Sequence, residues 1–253
     1  MEVYGFYSEN MSGNVGEFPI IIEPSRCDFN GNAPLTYLCD KALQVATMHA
    51  HRNGFRFDVR ATMSKAWVIS RMGFYITRYP AHDEHVTYRT WVNSVERLFT
   101  RRNFEIIDDN GYSIMQAQSF WAAIDFDTRR PTDLTEMNNG ALMPTITPDS
   151  EDYNAPRLRK IPAVESQPVF THKAVYSDID VNRHFNSVKY IEHALDLYDE
   201  ELFSGKEVKE MEVVFLNETL AGTNMAFCKE NGIVDIKNAD NGDSLCRLSF
   251  KFS

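Results

Sequence analysis

A short polar pattern occurs twice in this chain, 152 residues apart, and each time it runs into a helix-like apolar stripe. Under that shift Asp28, Asn30 and Asn32 fall on Asp180, Asn182 and His184. The same register lays Cys39, Leu43, Ala46 and Ala50 on Ile191, Leu195, Tyr198 and Leu202, with Asp40 on Glu192 and Ala42 on Ala194. A motif and an apolar face agreeing in one register point to a diverged internal duplication. The chain should therefore fold as two related units rather than two unrelated ones.

Each unit has the same ingredients. In the first, Phe18–Glu23 reads as a strand and Pro34 to His51 as a helix, with Pro near its first turn and Asn53-Gly54 as its stop. Strands follow over Ala66–Tyr79, Val86–Leu98, Arg102–Asp108 and Tyr112–Phe126, with Asn110-Gly111 as a hairpin turn. In the second, Val188, Ile191, Leu195, Tyr198 and Leu202 recur every three or four residues, the stripe of one helix laid on a sheet. Strands then run over Lys209–Asn217, Thr223–Lys229, Ile233–Asn238 and Ser244–Phe252, and Asn231-Gly232 and Asn241-Gly242 supply turns. The only long apolar helix in each unit must cover one face of its sheet, so the class is α+β, a long helix wrapped by an antiparallel meander. Between the units Thr128 to Pro168 is rich in Pro, Asn, Asp and Thr and has little periodicity. The division expected is a first repeat over residues 1–140, a linker over 141–165 and a second repeat over 166–253.

The stretch Tyr176 to Tyr190 carries the candidate chemistry. Asp180, Asn182 and His184 alternate, so an extended segment would point all three side chains one way. They end where a helix begins, which brings free backbone N–H donors beside them. The alternative is an Asx-type turn with Asn186 as the N-cap and His184 as a surface residue. Other classes are narrowed by composition. A net charge of −10 argues against nucleic acid as the main partner. Met1 to Asn14 lacks the basic start and apolar run of a signal peptide, and nothing approaches a membrane span. Cys27, Cys39, Cys228 and Cys246 show no C-x-x-C spacing, so they read as reduced residues of a cytoplasmic protein with no metal site.

Ser177-Asp-Ile-Asp-Val-Asn-Arg-His-Phe-Asn-Ser-Val-Lys-Tyr190 resembles the signature of the acyl-acyl carrier protein thioesterases, double hotdog enzymes that release fatty acids from acyl carrier protein. The resemblance continues through Trp67-Val-Ile-Ser-Arg71, Tyr79-Pro80, Thr90-Trp91, Arg101-Arg102, Gly111, Ser119-Phe-Trp121 and Asp127-Thr-Arg-Arg-Pro131. It implies a catalytic set of Asp180, Asn182, His184 and Glu218, the last within Met211-Glu-Val-Val-Phe-Leu-Asn-Glu-Thr219. In plant members a Cys follows this Glu; here the position is Thr219, which removes a Cys–His mechanism. The plant pattern also has Asn where Ser187 stands, while Asn186 is retained. The first repeat has Asn32 in place of the His and so resembles an inactive copy that shapes the acyl pocket.

Thioester hydrolysis needs an activated water or carboxylate, and donors for the oxyanion. An imidazole changes charge near working pH, which suits His184 to the first task. Glu218 would orient His184, act as the base, or attack as a nucleophile. Asn182 would position water or the carbonyl, and Asp180 would fix the side chains of Asn182 and His184. Backbone N–H groups at Asn186 and Ser187 are the expected oxyanion donors, aided by the helix dipole. An acyl tunnel in the first repeat could draw on Met48, Met63, Trp67, Phe74, Trp91 and Trp121, residues that are usually plain core. Docking of an acidic carrier protein requires local basic surface, for which Arg101, Arg102, Arg129 and Arg130, or Arg157, Arg159 and Lys160, are available. No cofactor is implied, and a homodimer is left open. The runner-up readings are an acyl-coenzyme A thioesterase on the same fold, a non-catalytic acyl-binding hotdog protein and a hotdog dehydratase.

Overall fold

The computed structural model describes residues 10–12, 14–55, 65–125, 127–128, 130–137, 139–154 and 157–253. Met63 and Arg129 lie outside them. The chain divides into two compact units, the first holding residues 1–69 and 74–156 and the second residues 70–73 and 157–253.

In the first unit β1 (Asn10–Ser12) and β2 (Val15–Ile21) precede α1 (Leu35–Arg52), followed by β3 (Lys65–Ile76), whose residues 70–73 group with the second unit, and then by β4 (His85–Val95), β5 (Thr100–Asp108) and β6 (Ser113–Asp125). The strand order is β1-β2-β4-β5-β6-β3. The predicted alternation places Val86, Tyr88 and Thr90 of β4 inside, and the register sets Phe18 of β2 opposite Tyr88 and Ile20 opposite Val86. Against this face α1 buries Leu38, Cys39, Ala42, Val45 and Ala46, packing on β2 and β4. Leu43 and Ala50, expected on the same face, are only half-buried.

In the second unit β7 (Phe170–Lys173), α2 (Ser187–Leu195) and α3 (Glu200–Gly205) precede β8 (Val208–Phe215), β9 (Asn224–Glu230), β10 (Ile233–Asn238) and β11 (Ser244–Phe252). Its order is β7-β9-β10-β11-β8, the same permutation that β2-β4-β5-β6-β3 shows in the first unit. The strand after each helix thus crosses to the far edge, instead of opening a simple four-strand meander as the sequence suggested. The fold is α+β, a double hotdog. At the β9–β10 turn Asn231 (φ 49°) and Gly232 (φ 77°) both take the left-handed conformation that a type I′ hairpin demands. Thr128 to Pro168, most of which belongs to the first unit, carries one short 3-10 turn, Met143–Thr145, among its described residues.

The second helix is shorter than its stripe implied. It stops at Asp196, and Asp199 in extended conformation starts α3 with Glu200 and Glu201 in the first turn, where acids favour a helix start. Tertiary contacts hold the break. The Tyr198 ring lies 5.0 Å from Phe252 and 5.9 Å from Phe250, with Lys229 Nζ 4.1 Å above it. Lys229 Nζ also donates to Leu197 O. Tyr190, Ile191 and Ala194 form the buried face of α2, which packs on β11.

Candidate active site

The Tyr176–Asn186 stretch folds as a turn rather than an extended segment. Asp180 accepts from the Arg183 N–H through its carbonyl (3.0 Å) and donates its own N–H to His184 O (2.8 Å). Its carboxylate Oδ1 accepts the backbone N–H groups of Asn182 (2.8 Å) and His184 (3.1 Å). Asp180 therefore shapes the loop through the backbone, and the expectation that it fixes the side chains of Asn182 and His184 is corrected. An Asx carboxylate bonding two residues onward is a local interaction that outcompetes the extended form. The first repeat makes the same turn. Asp28 Oδ1 accepts from Asn30 N–H (2.9 Å) and Asn32 N–H (3.0 Å), and Gly31 (φ 78°) stands where Arg183 (φ 65°) does.

The turn delivers His184 to Glu218. An isolated antiparallel bridge joins His184 to Leu220, and the Phe185 N–H donates to Thr219 O (2.8 Å). Buried Thr219 also accepts the Tyr190 hydroxyl of α2 at 2.7 Å. The segment carrying Glu218 is thereby tied to both the loop and the helix. His184 Nε2 lies 3.9 Å from Glu218 Oε1, with 38% and 49% of the two side chains exposed, so water reaches both. The Asn182 side chain is exposed and makes no hydrogen bond among the described residues. Asn186 is the N-cap of α2: its Oδ1 accepts the Val188 N–H (2.8 Å), and its own N–H donates to Asp178 O (2.8 Å). Lys189 N–H is bonded to Asn186 O (2.9 Å). Among the described residues the Ser187 N–H, in the first turn, is left as an open donor; the Asn186 N–H is not available for an oxyanion.

Behind the loop lies a cluster that sequence reasoning missed. Buried Asp178 accepts from His172 Nε2 of β7 on Oδ2 (2.7 Å) and from His193 Nε2 of α2 on Oδ1 (3.2 Å). The Val175 N–H donates to Oδ2 as well (2.9 Å). The donor atoms of the three residues lie within 4.8 Å of one another, close enough to hold a metal ion. Both carboxylate oxygens are already occupied by the hydrogen bonds, which tie the edge strand, the loop and the helix together. Burial alone would raise the Asp178 carboxyl, but the bonds from Val175, His172 and His193 outweigh it and hold the group below the ordinary carboxylate range.

In the first unit a pocket is lined by Ala46, Ala50, Trp67, Trp121 and Leu142, with Arg102 on its wall. Of the residues named for a tunnel, Trp67 and Trp121 line this pocket, whereas Met48, Phe74 and Trp91 are buried core. Arg102 is corrected as a docking residue, because it is only 7% exposed. Arg101 is half-buried, stacks over Phe120 and lies 3.5 Å from Glu96. Arg130, Arg157, Arg159 and Lys160 are exposed.

The chain matches the acyl-ACP thioesterase N-terminal domain over residues 17–138 and the C-terminal domain over residues 163–248. An acyl-ACP thioesterase from Bacteroides thetaiotaomicron is 33% identical, superposes with a TM-score of 0.83, and the alignment covers 96% of this chain and 100% of that one. The 12:0-ACP thioesterase from Umbellularia californica has the same fold (TM-score 0.81, 17% identity, 96% and 99% of the two chains covered). Oleoyl-acyl carrier protein thioesterase 2 of Arabidopsis thaliana, a chloroplastic protein, is 28% identical over 229 residues, which is 85% of this chain and 60% of that protein. The fold is that of the double hotdog proteins, and both matched domains follow one another along the chain. This chain belongs to the acyl-ACP thioesterase family. It spans about three fifths of the length of the curated plant relative.

Proposed function

We propose that the protein hydrolyses the thioester of a fatty acyl-acyl carrier protein, releasing the free fatty acid and the carrier. The observation that carries this reading is the approach of His184 Nε2 to Glu218 Oε1, 3.9 Å apart at a solvent-reached helix start. A separation of this kind in the ligand-free state tightens when substrate excludes water. The imidazole and the carboxylate act as one acid–base unit. It takes a proton from the water that attacks the carbonyl carbon, and returns a proton to the sulfur as the carbon–sulfur bond breaks. The Ser187 N–H, at the positive end of α2, stabilises the oxyanion in between. Asn182 presents its free amide to the water or the carbonyl. The chemistry so written uses no cofactor.

The second repeat, 166–253, is the catalytic one. The first, 1–140, has Asn32 at the His184 position and supplies the acyl pocket bounded by Trp67 and Trp121. Family membership supports acyl carrier protein as the partner, with exposed Arg130 and half-buried Arg101 as the basic groups that meet its acidic surface. Among the described residues no helix is long and apolar enough to cross a membrane. All four cysteines are free thiols and three are buried, which suits a reducing, cytoplasmic compartment.

One acyl group carried on acyl carrier protein and on coenzyme A tests both the reaction and its carrier. Hydrolysis of the carrier-protein thioester is expected to be the more efficient. Arg130→Glu should raise its Michaelis constant several-fold while leaving the coenzyme A thioester unaffected. An equal effect on both thioesters would remove Arg130 from docking, and a wild-type preference for coenzyme A would favour the acyl-coenzyme A thioesterase instead.

A further inference from the structure

The first-unit pocket contains a charge that the hydrolysis of a plain fatty acyl chain does not use. Arg102 of β5 is buried to 93% by its 7% residual exposure, yet it lines a cavity whose walls include Trp67 and Trp121. Its Nη1 donates to His49 Nδ1 (3.1 Å) and to Thr90 Oγ1 (3.1 Å). His49 is fully buried in turn, and its Nε2 meets Asn14 O at 3.1 Å. A ring with Nε2–H on a carbonyl leaves Nδ1 as the acceptor that the guanidinium needs, so the tautomer is set and the ring is neutral. Burial and the Arg102 charge pull His49 down to about 3, in agreement with that assignment.

No carboxylate pairs with Arg102 among the described residues. Burial lowers the guanidinium to about 10, which leaves it charged at neutral pH. Neither a neutral imidazole nor a hydroxyl cancels a positive charge, and a buried unpaired charge is costly. Among the described residues only Nη1 is used, so the remaining guanidinium donors are left to the cavity that Arg102 lines. Thr47, Thr145 and Asn53 also line the cavity, but their polar groups are engaged. The hydroxyls donate to Leu43 O (2.9 Å) and Leu142 O (2.7 Å) and the amide meets the His49 ring (3.3 Å), which leaves the guanidinium as the cavity's charged group. A pocket meant for a wholly apolar chain would gain nothing from this wall, because covering it would strip water from the cation without replacing the lost hydrogen bonds.

We propose that Arg102 makes this pocket a subsite for an acyl chain bearing an oxygen substituent, a hydroxyl or a keto group, at the depth where the guanidinium opens into the cavity. The inference rests on the reading that the pocket takes the acyl chain, and it deepens that reading by naming the acyl class. The oxygen accepts from the guanidinium, while the chain on either side of it lies against the indole and alanine walls. Specificity of this kind is set by a buried polar group that is left unpaired when the substituent is absent.

Two measurements test it. The first is hydrolysis of carrier-protein thioesters of one chain length, unsubstituted and with a hydroxyl walked along the chain. The wild type should prefer the hydroxyacyl substrate by about tenfold or more in kcat/KM at one position of the hydroxyl, the worth of a hydrogen bond to a charged group. In Arg102→Met that ratio should fall to near one, and in Arg102→Lys, which keeps the charge, much of it should return. The second is titration calorimetry of the same free acids, hydroxylated and plain, against the unreacted protein. The hydroxylated acid should bind more tightly to the wild type and lose that advantage in Arg102→Met. A ratio near one in the wild type, or one unchanged by Arg102→Met in folded protein, overturns the proposal. So does Arg102-dependent binding of the plain acid with no gain for the hydroxylated one, which would give the guanidinium to the product carboxylate. If no thioester is cleaved at all, the hydrolase reading fails on its own, and the calorimetric comparison still decides the pocket.

Discussion

His184→Ala should lower thioester turnover by ~10²–10⁴ in an assay of released thiol, with the fold retained. The size follows from the task. Without the imidazole, water must attack the carbonyl with no group of suitable basicity beside it except Glu218. The structural cost of the change is small, because the side chain is 38% exposed and the turn is held by backbone bonds to Asp180. The loss should therefore appear in kcat, with the melting temperature nearly unmoved. Near-normal hydrolysis by folded His184→Ala protein would remove this residue from the mechanism.

Asp178→Ala is expected to have the largest effect on stability. It deprives the Val175 N–H and two imidazoles of their acceptor in a site where Asp178 is only 3% exposed. Buried donors left without partners cost about 1–3 kcal/mol each, and partial access of water to His172 moderates the sum. A loss of about 2–4 kcal/mol in a denaturant titration is the expected result. Asp178→Asn, which keeps one acceptor oxygen, should fall between. The pH dependence has a definite sign. The folded-state pKa is depressed, so the carboxylate's contribution is present above its unfolded value of about 3.9 and disappears as pH falls through the lower, folded one. The stability gap between wild type and Asp178→Ala should therefore be full near neutrality and shrink below about pH 4. A gap that stays constant down to pH 2 would mean that the charge on Asp178 is not what matters.

The strands that alternate and end in Asn-Gly were legible from residues alone, since side-chain period and turn chemistry are local. The repeat was legible too, because the Asx turn at Asp28 and at Asp180 needs the same residue types at the same spacing. Other features were hidden for physical reasons. Strand β7 is four residues long and largely exposed, so it shows no apolar alternation. The helix break at Asp196 to Asp199 depends on the Tyr198 ring finding Phe250 and Phe252, residues far away in sequence. Arg101 and Arg102 look like one basic patch, yet adjacent residues of a strand point to opposite faces, and β5 sends one outward and the other into the core. The triad of His172, Asp178 and His193 draws on a strand, a turn and a helix, with no periodicity to announce it. The alternation of Asp180, Asn182 and His184 was real as sequence, but the Asp180 carboxylate folds it into a turn, so its members act by different routes.

The central claim is that His184 and Glu218 work as one unit, and a double-variant cycle tests it most directly. His184→Ala, Glu218→Gln and the combined variant would be compared by single-turnover hydrolysis of a carrier-protein thioester. Residues acting together lose their effect once, so the combined variant should be within a few-fold of the worse single one. Losses that multiply, the combined rate falling by the product of the two single factors, would show that the imidazole and the carboxylate act independently and would contradict the account.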